Sequence, residues 1–394
     1  MDLIHRRAPA WEVFLTALCL TCIGIVMVYS ASSVAAQAQY HDAAYFLKRQ
    51  IVYAAIGLAA MSVAWKVHYA KLRAWTVPVL AVAVLAVILV LAPQVGRVAG
   101  GARRWLSIGG VFNFQPAELA KLGLILYLSN FLANRGARVR AFGSGLVPPL
   151  VIFLLVAVPI LRQPDLGSVL IMAMITGVLL FVGGARIMHL LAIGAASVPI
   201  VLALVIHEGY RHSRLLAFLD PWKDPQRSGF HIIQSLLALG SGGVTGLGLG
   251  HSTQKFFYLP ERHTDFIFAI IGEELGLAGA AAVILLFVLL AVWGYRISSR
   301  LRDRYGVLLT TGLVTMLVGQ AALNIGVVSG AVPVTGVPLP FISFGGSSLV
   351  TSYLAIGILL NLSQYAQRAE HLVAPAASRA PASMDPLIGT RGRA

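Results

Sequence analysis

Tyr258-Leu-Pro-Glu-Arg-His-Thr-Asp265-Phe-Ile-Phe-Ala-Ile-Ile-Gly-Glu-Glu274-Leu-Gly276 runs from a polar segment straight into an apolar one. Pro260 ends whatever precedes it, and Thr264 or Asp265 is placed to cap a new helix. From Phe266 the run is apolar enough to enter a bilayer. Glu273 and Glu274 follow Asp265 by about 12–14 Å at 1.5 Å per residue. Carboxylates at that depth are costly, so they mark function or a buried pair.

The rest of the chain repeats this theme. Its 394 residues are 58% hydrophobic and 11% charged, with a mean hydropathy of +0.82, a balance foreign to ordinary soluble domains. Apolar runs of the ~17–25 residues that cross a bilayer as helix recur along it. They predict ten spans, at about 13–29, 50–66, 75–93, 117–133, 146–161, 167–184, 187–206, 266–293, 306–328 and 347–363. The fold class is an all-α polytopic membrane protein. It divides into a cytoplasmic N-terminus (1–12), a ten-helix membrane domain (13–365) and a disordered cytoplasmic tail (366–394) rich in Ala, Pro and Arg. A large outer loop, 207–264, separates the seventh and eighth spans. Ala36-Gln37-Ala38 resembles a signal-peptidase site, but the apolar core before it is long for a signal peptide, so an uncleaved span is expected.

The net charge of +15 does not indicate a nucleic-acid partner, because the basic residues sit in short loops between spans, as the positive-inside rule produces. A cytoplasmic N-terminus places Arg6, Arg7, Lys66, Lys71, Arg73, Arg135, Arg138, Arg140, Arg186, Arg296, Arg300, Arg302 and Arg304 inside, with the tail arginines. Only Lys48, Arg49, Arg97, Arg103, Arg104 and Arg162 then occupy the short outer loops. Both termini are expected in the cytoplasm.

The outer loop 207–264 carries Arg211, Arg214, Lys223, Arg227, Lys255 and Arg262. Long loops cross regardless of charge. Its basicity suits a phosphate-bearing lipid at the outer headgroup level, or generic attraction to anionic headgroups. Within it, Ser241-Gly-Gly-Val-Thr-Gly-Leu-Gly-Leu-Gly250 could bring backbone amides to a phosphate, yet it lacks the strand–loop–helix setting of a nucleotide motif. Cys19 and Cys22 have no His or further Cys nearby and read as small helix-packing residues rather than redox or metal ligands.

Several polar residues stand where apolar ones are expected. Glu118 and Lys121, at i and i+3 after Pro116, share a helix face. They either neutralise one another or face an outward cavity, where Lys121 would contact a phosphate and Glu118 would orient it or hold a cation. Arg103 and Arg104 beside Trp105 are phosphate ligands or neighbours of an interfacial anchor. Arg162-Gln-Pro-Asp165 reads as a tight turn. The stretch Asn324 to Ser347, with its prolines and glycines, is irregular backbone at membrane depth, tolerated only where it is buried or lines a wet cavity. Asp265 is a helix cap or a general base at the rim of that cavity.

Four stretches together resemble one family: Gly101-Ala-Arg-Arg-Trp105 with Gln115-Pro-Ala-Glu118-Leu-Ala-Lys121; Arg162-Gln-Pro-Asp-Leu-Gly-Ser168; Gln254-Lys-Phe-Phe-Tyr-Leu-Pro-Glu-Arg-His-Thr-Asp265; and Pro333-Val-Thr-Gly-Val-Pro-Leu-Pro-Phe-Ile-Ser-Phe-Gly-Gly-Ser347. The chain is similar over about 13–365 to the SEDS proteins of shape, elongation, division and sporulation. Pro-Ala-Glu118 stands where Pro-Ser-Glu is more usual. Met27-Val-Tyr-Ser-Ala-Ser32 and the loop motif look closer to the division and sporulation branch than to the elongation branch.

The resemblance implies a ten-helix peptidoglycan glycosyltransferase that polymerises lipid II outside the cytoplasmic membrane. It also implies a class B penicillin-binding transpeptidase as partner, with other division proteins. Asp265 would be the catalytic aspartate, with Glu118 and Lys121 an essential cavity pair. Lys121, Glu118, Arg103, Arg104, Arg262, Ser343 and Gly345 are the candidate substrate and pyrophosphate ligands. A divalent cation, Mg or Mn, is a candidate cofactor with Glu118 as its ligand. The rival readings are an elongation-type polymerase, a lipid II flippase, to which Glu273 and Glu274 would lend a mid-membrane site, and a scaffold indifferent to substitution of Asp265.

Overall fold

The computed structural model describes residues 10–371, apart from 93, 100–101, 109–111, 208 and 256–261. Expectations resting on Arg6, Arg7, Pro260 and the tail beyond 371 lie outside the described residues. The chain is mostly helical: α1 (Trp11–Tyr40), α2 (Tyr45–Lys66), α3 (Leu72–Leu91), α4 (Pro116–Arg135), α5 (Val147–Leu161), α6 (Leu166–Val182), α7 (Ile187–His207), α8 (Gly209–Leu219), α9 (Phe230–Ser241), α10 (Ile267–Arg300), α11 (Arg304–Val328) and α12 (Gly346–His371). Among the described residues, seven helices are long and apolar enough to cross a membrane: α1, α2, Tyr69–Val90, Phe142–Leu161, α10, α11 and Gly346–Ala366. Leu166–Val182 and Ile187–Ala203 are shorter apolar helices, and α4 carries Glu118, Lys121 and Arg135.

The interior is built around α4, α11 and α12, whose faces are buried almost all round. Small and hydroxylated residues on α11 (Thr310, Thr311, Gly312, Thr315) allow the close approach on which helix packing in lipid depends. The extensive α2–α12 contact uses glycines on both sides. A Cβ on Gly57 would lie 2.6 Å from the Tyr353 ring, and one on Gly357 would lie 2.5 Å from the Met61 carbonyl. Large apolar side chains of α3, α5 and α7 point outward instead: Trp75, Leu85, Val151, Leu154, Leu191 and Ile200 are all exposed. In a chain of this hydropathy, that ring faces lipid.

Several features differ from expectation. A small antiparallel sheet, β1 (Gly96–Ala99), β2 (Ala102–Ile108) and β3 (Phe112–Phe114), interrupts the all-α plan. It pairs Arg97 with Trp105 and Leu106 with Phe114; β-branched and aromatic residues around Gly-Gly dipeptides are hairpin chemistry. Helix α1 continues to Tyr40, well past Tyr29, since nothing in Ser30-Ala-Ser-Ser-Val-Ala-Ala breaks a helix. Cys19 and Cys22 are exposed on α1 rather than packed. The loop 207–264 contains the helices α8 and α9, and α12 extends to His371, into the segment expected to be disordered.

The most consequential departure is in α10. At Gly276 (φ 67, ψ −166) the helix is broken, in a backbone region open essentially to glycine alone. The glycine-rich segment 242–248 fills the break. Leu247 and Gly248 donate to the Glu273 and Glu274 carbonyls (both 3.0 Å), while Leu277 and Ala278 donate to the Gly243 and Val244 carbonyls (2.9 and 3.1 Å). These bonds satisfy the backbone groups that a broken helix would otherwise strand in an apolar setting. The amides of Leu247 and Gly248 are thereby committed to α10, not offered to a phosphate.

Candidate functional site

The segment between α11 and α12 carries Pro333, Pro338 and Pro340, which cannot donate backbone hydrogen bonds, so its carbonyls must be met from outside. Helix α11 meets them. Gln320 and Asn324, four residues apart on one face, donate to the Pro338 carbonyl (3.0 Å) and the Val337 carbonyl (2.7 Å). Asn324 also donates to the Asp265 carbonyl at 2.7 Å. The Ser343 hydroxyl accepts from Leu339 N (2.8 Å) and donates to the Thr264 carbonyl (2.6 Å), and Phe344 N donates to His263 O (2.9 Å). Segments 262–265 and 335–344 are thus laced together over the end of α11.

This lacing sets Asp265. The helix cap of α10 is Phe266, one residue past Asp265, with no side-chain capping bond. Turns occupy 262–266, and the half-buried Asp265 carboxylate abuts Gly336. A Cβ there would lie 3.5 Å from Asp265 Oδ2 and 3.9 Å from Arg104 Nη1. Gly336 has φ +72, which a side chain would oppose. Arg104 reaches this point from β2, fixed by bonds to the Gln163 carbonyl (3.0 Å) and the Pro164 carbonyl. A carboxylate and a guanidinium therefore flank one bare stretch of backbone.

The other expected site residues are dispersed. Glu118 and Lys121 are buried, at 3% and 1% exposure. Lys121 Nζ donates to Glu118 Oε1 (2.9 Å) and Gln320 Oε1 (2.5 Å). Two of the three ammonium donors of Lys121 are thus spent inside the protein. The pair braces Gln320 and, through it, Pro338. Arg103 precedes Arg104 on β2, and neighbours on a strand project to opposite faces, which divides the two. Arg262 is buried and donates through Nε to the Ala31 carbonyl on α1 (3.1 Å). Ser343 is spent on the lacing, and half-buried Gly345 lies beyond it, beside Ser348.

A divalent cation fits poorly at Glu118. Its carboxylate already holds the Lys121 ammonium, and among the described residues no group of three His, Cys, Asp or Glu could hold a metal. Glu273 and Glu274 form a separate buried cluster. Glu273 accepts from Ser252 Oγ (2.5 Å), Thr253 N (2.9 Å) and Thr253 Oγ1 (2.8 Å). Glu274 accepts from Ser30 on α1 at 2.7 Å and faces Lys255 Nζ at 3.8 Å. These carboxylates bind the loop ahead of Asp265.

Sequence reasoning missed Gln320 and Gln115. The Gln115 side chain donates to Asp165 Oδ2 (3.2 Å), and Asp165 caps α6 through Ser168 N (3.1 Å). Two carboxamides four apart in an apolar helix, Gln320 and Asn324, were the available signal.

A family model described as "Cell cycle protein", covering FtsW, RodA and SpoVE, matches residues 10–368. The chain belongs to this family. Among its members, the probable peptidoglycan glycosyltransferase FtsW of Geobacter metallireducens is 46% identical over 351 residues, covering 89% of this chain and 93% of that protein. Stage V sporulation protein E of Bacillus subtilis is 44% identical over 362 residues, 92% and 99% of the two chains. A chain from a structure titled for the coordination of polymerization and crosslinking by a peptidoglycan synthase complex superposes with a TM-score of 0.76 at 31% identity, covering 90% of this chain and 98% of that one. The rod-shape-determining protein RodA of Thermus thermophilus gives 0.67 at 28% identity, covering 92% and 98%. Family membership makes this chain a multi-pass membrane protein.

Proposed function

We propose that this chain is a peptidoglycan glycosyltransferase of the division type, polymerising lipid II on the outer face of the cytoplasmic membrane. The observation that carries the assignment is the approach of both Asp265 and Arg104 to the bare backbone of Gly336. Asp265 is the general base that takes the proton of the acceptor sugar's 4-hydroxyl. Arg104 stabilises the undecaprenyl pyrophosphate leaving group, whose growing charge is the main electrostatic demand of the transfer. Glu118 and Lys121 act through Gln320 to hold the 335–344 segment in place.

The architecture that suits this reading has ten spans, with α4, α6 and α7 added to the seven long apolar helices, and both termini in the cytoplasm. Helices α8 and α9 then belong to the outer loop between α7 and α10. The partner is a class B penicillin-binding transpeptidase, in keeping with the synthase complex named for the structural relative. Transport loses its main support, because Glu273 and Glu274 are spent on Ser252, Thr253 and Ser30 rather than presented to a mid-membrane path.

The test uses purified protein with its transpeptidase partner and labelled lipid II, with glycan chains read on a gel. Wild type should make chains, and Asp265→Ala should make none. Chains of equal length and yield from folded Asp265→Ala would remove the assignment of the base.

A further inference from the structure

At the end of the bundle that carries Asp265, α1 and α2 meet in a tight turn. Ala44 N and Lys48 Nζ both donate to the Asp42 carboxylate (3.0 and 2.8 Å), and His41 caps α1 in the left-handed region (φ 56). The turn so fixed lays Tyr40, the last residue of α1, flat on Tyr45, the first of α2. Their ring centroids are 3.9 Å apart and their planes 4° from parallel. We propose, on the polymerase reading above, that the open face of Tyr40 is a saccharide-binding shelf. It stacks on a pyranose ring of the growing glycan strand as the strand leaves Asp265.

The surroundings leave one ring face free. The Arg49 guanidinium lies over the Tyr45 ring, 4.5 Å from its centroid, a cation–π contact on the face that Tyr40 does not cover. Phe46 is perpendicular to both tyrosines and nearly equidistant from them, at 5.8 and 5.2 Å. It therefore stands beside the stack and not on its end. Tyr40, 40% exposed, ends the stack with its outer face bare. Through Phe46 the stack is tied to the candidate site: Phe46 packs 4.5 Å from the His263 ring and 5.0 Å from that of Phe344. His263 lies two residues before Asp265, in the segment that Phe344 and Ser343 lace down.

Position and chemistry separate a sugar shelf from an interfacial anchor. Helix α1 has 30 residues, about 45 Å at 1.5 Å per residue, against a hydrocarbon layer of ~30 Å. Its excess length lets the last turn stand clear of the acyl chains. That turn, Gln37-Ala-Gln-Tyr40, is exposed at every residue, and two carboxamides there suit water and not lipid. A pyranose offers an apolar face of C–H groups ringed by hydroxyls, so it is matched by an aromatic face with polar groups at its rim. Here the rim holds the carboxamides, the Tyr40 hydroxyl and Arg49. Among the described residues, neither the Tyr40 hydroxyl nor Arg49 makes a hydrogen bond or ion pair within the protein, so both are open to sugar oxygens. A polymerase must lead its product away from the reacting pair, and a shelf one aromatic cluster from Asp265 is placed to take it.

The full-length protein in detergent would be mixed with a soluble tetrasaccharide, two repeats of N-acetylglucosamine and N-acetylmuramic acid, and binding followed by saturation-transfer NMR. Irradiating the protein's aromatic protons should saturate the ring C–H protons of the sugar. Tyr40→Ala should weaken binding roughly tenfold, the factor made by ~1.4 kcal/mol, and Tyr40→Trp should preserve it. Tyr40→Leu, apolar but without a ring, should bind as poorly as the alanine variant; wild-type binding by Tyr40→Leu would make Tyr40 an apolar anchor and overturn the proposal. So would equal weakening by Trp75→Ala, which removes an exposed aromatic from the lipid-facing ring. In the polymerisation assay, Tyr40→Ala should give shorter chains than wild type at equal lipid II consumption. Loss of the transpeptidase partner from purified Tyr40→Ala would make the shelf a protein interface and overturn the proposal. The two readings fail separately. Wild-type protein that binds the tetrasaccharide through Tyr40 yet makes no chains would count against the polymerase alone. Chains from wild type, with tetrasaccharide binding indifferent to Tyr40→Ala, would count against the shelf alone.

Discussion

Asp265 sits ahead of α10 with its carboxylate against the bare backbone of Gly336. The motif around it announces an acidic residue at the mouth of a helix, which two roles would explain equally well. A residue 71 positions later, Gly336, brings bare backbone against the carboxylate, an approach that suits the proposed base. Nothing local to Asp265 encodes that approach. Two predictions belong at this scale. Asp265→Asn keeps the shape and removes the proposed base, so polymerisation should fall by about 10²–10⁴ with the melting temperature unchanged. Gly336→Ala adds no clash, since its Cβ would meet only ordinary contacts, but it opposes φ +72. The cost is about 1–2 kcal/mol, and relaxation of the loop would shift the carboxylate relative to Arg104. A misplacement near 1 Å costs about 100-fold. Gly336→Ala should therefore lose far more in glycan yield than in thermal stability, and an alanine variant with full activity would show that the close approach is incidental.

Helices were legible wherever an apolar run decided them, and illegible wherever a distant segment did. Met316-Leu-Val-Gly-Gln-Ala-Ala reads as helix and is helix. Glu273-Glu-Leu-Gly-Leu-Ala reads the same way, yet the helix breaks at Gly276 because segment 242–248 supplies the missing backbone partners. The sheet at 96–114 escaped notice for a related reason: its strands are short and pair with each other rather than showing a clear period. The break makes a sharp prediction about elements. A Cβ on Gly276 would lie 2.3 Å from Gly246 N and would have to adopt a glycine-only conformation. Gly276→Ala should cost at least the ~1–3 kcal/mol of such strained backbone, seen as a lower melting temperature in detergent. Gly177→Ala, within α6 and with open space around its Cβ, should be neutral or slightly stabilising. Equal melting temperatures for the two would mean that the inserted segment does not fix α10.

Across the whole molecule, the two ends of the bundle are chemically different. One end gathers Asp265, Arg104, the irregular 335–344 segment and α9, whose Ser235 donates to the Val328 carbonyl at the end of α11 (2.6 Å). The other gathers the beginning of α1 and the late turns of α10 and α12, joined where Ala10 N donates to Ser363. The described chain thus begins and finishes on the side opposite Asp265. The positive-inside count reaches the same arrangement from charge alone, and adds that the Asp265 side faces outward. That orientation can be measured. In a Cys19→Ser/Cys22→Ser background, Arg227→Cys, in the exposed turn ahead of α9, should react in intact cells with a maleimide that cannot cross the membrane. Asp2→Cys and Ser383→Cys should react only after the cells are permeabilised. The reverse pattern would put Asp265 in the cytoplasm, where the lipid-linked sugars are still being assembled, and a polymerase acting outside the membrane would no longer be a tenable reading of this fold.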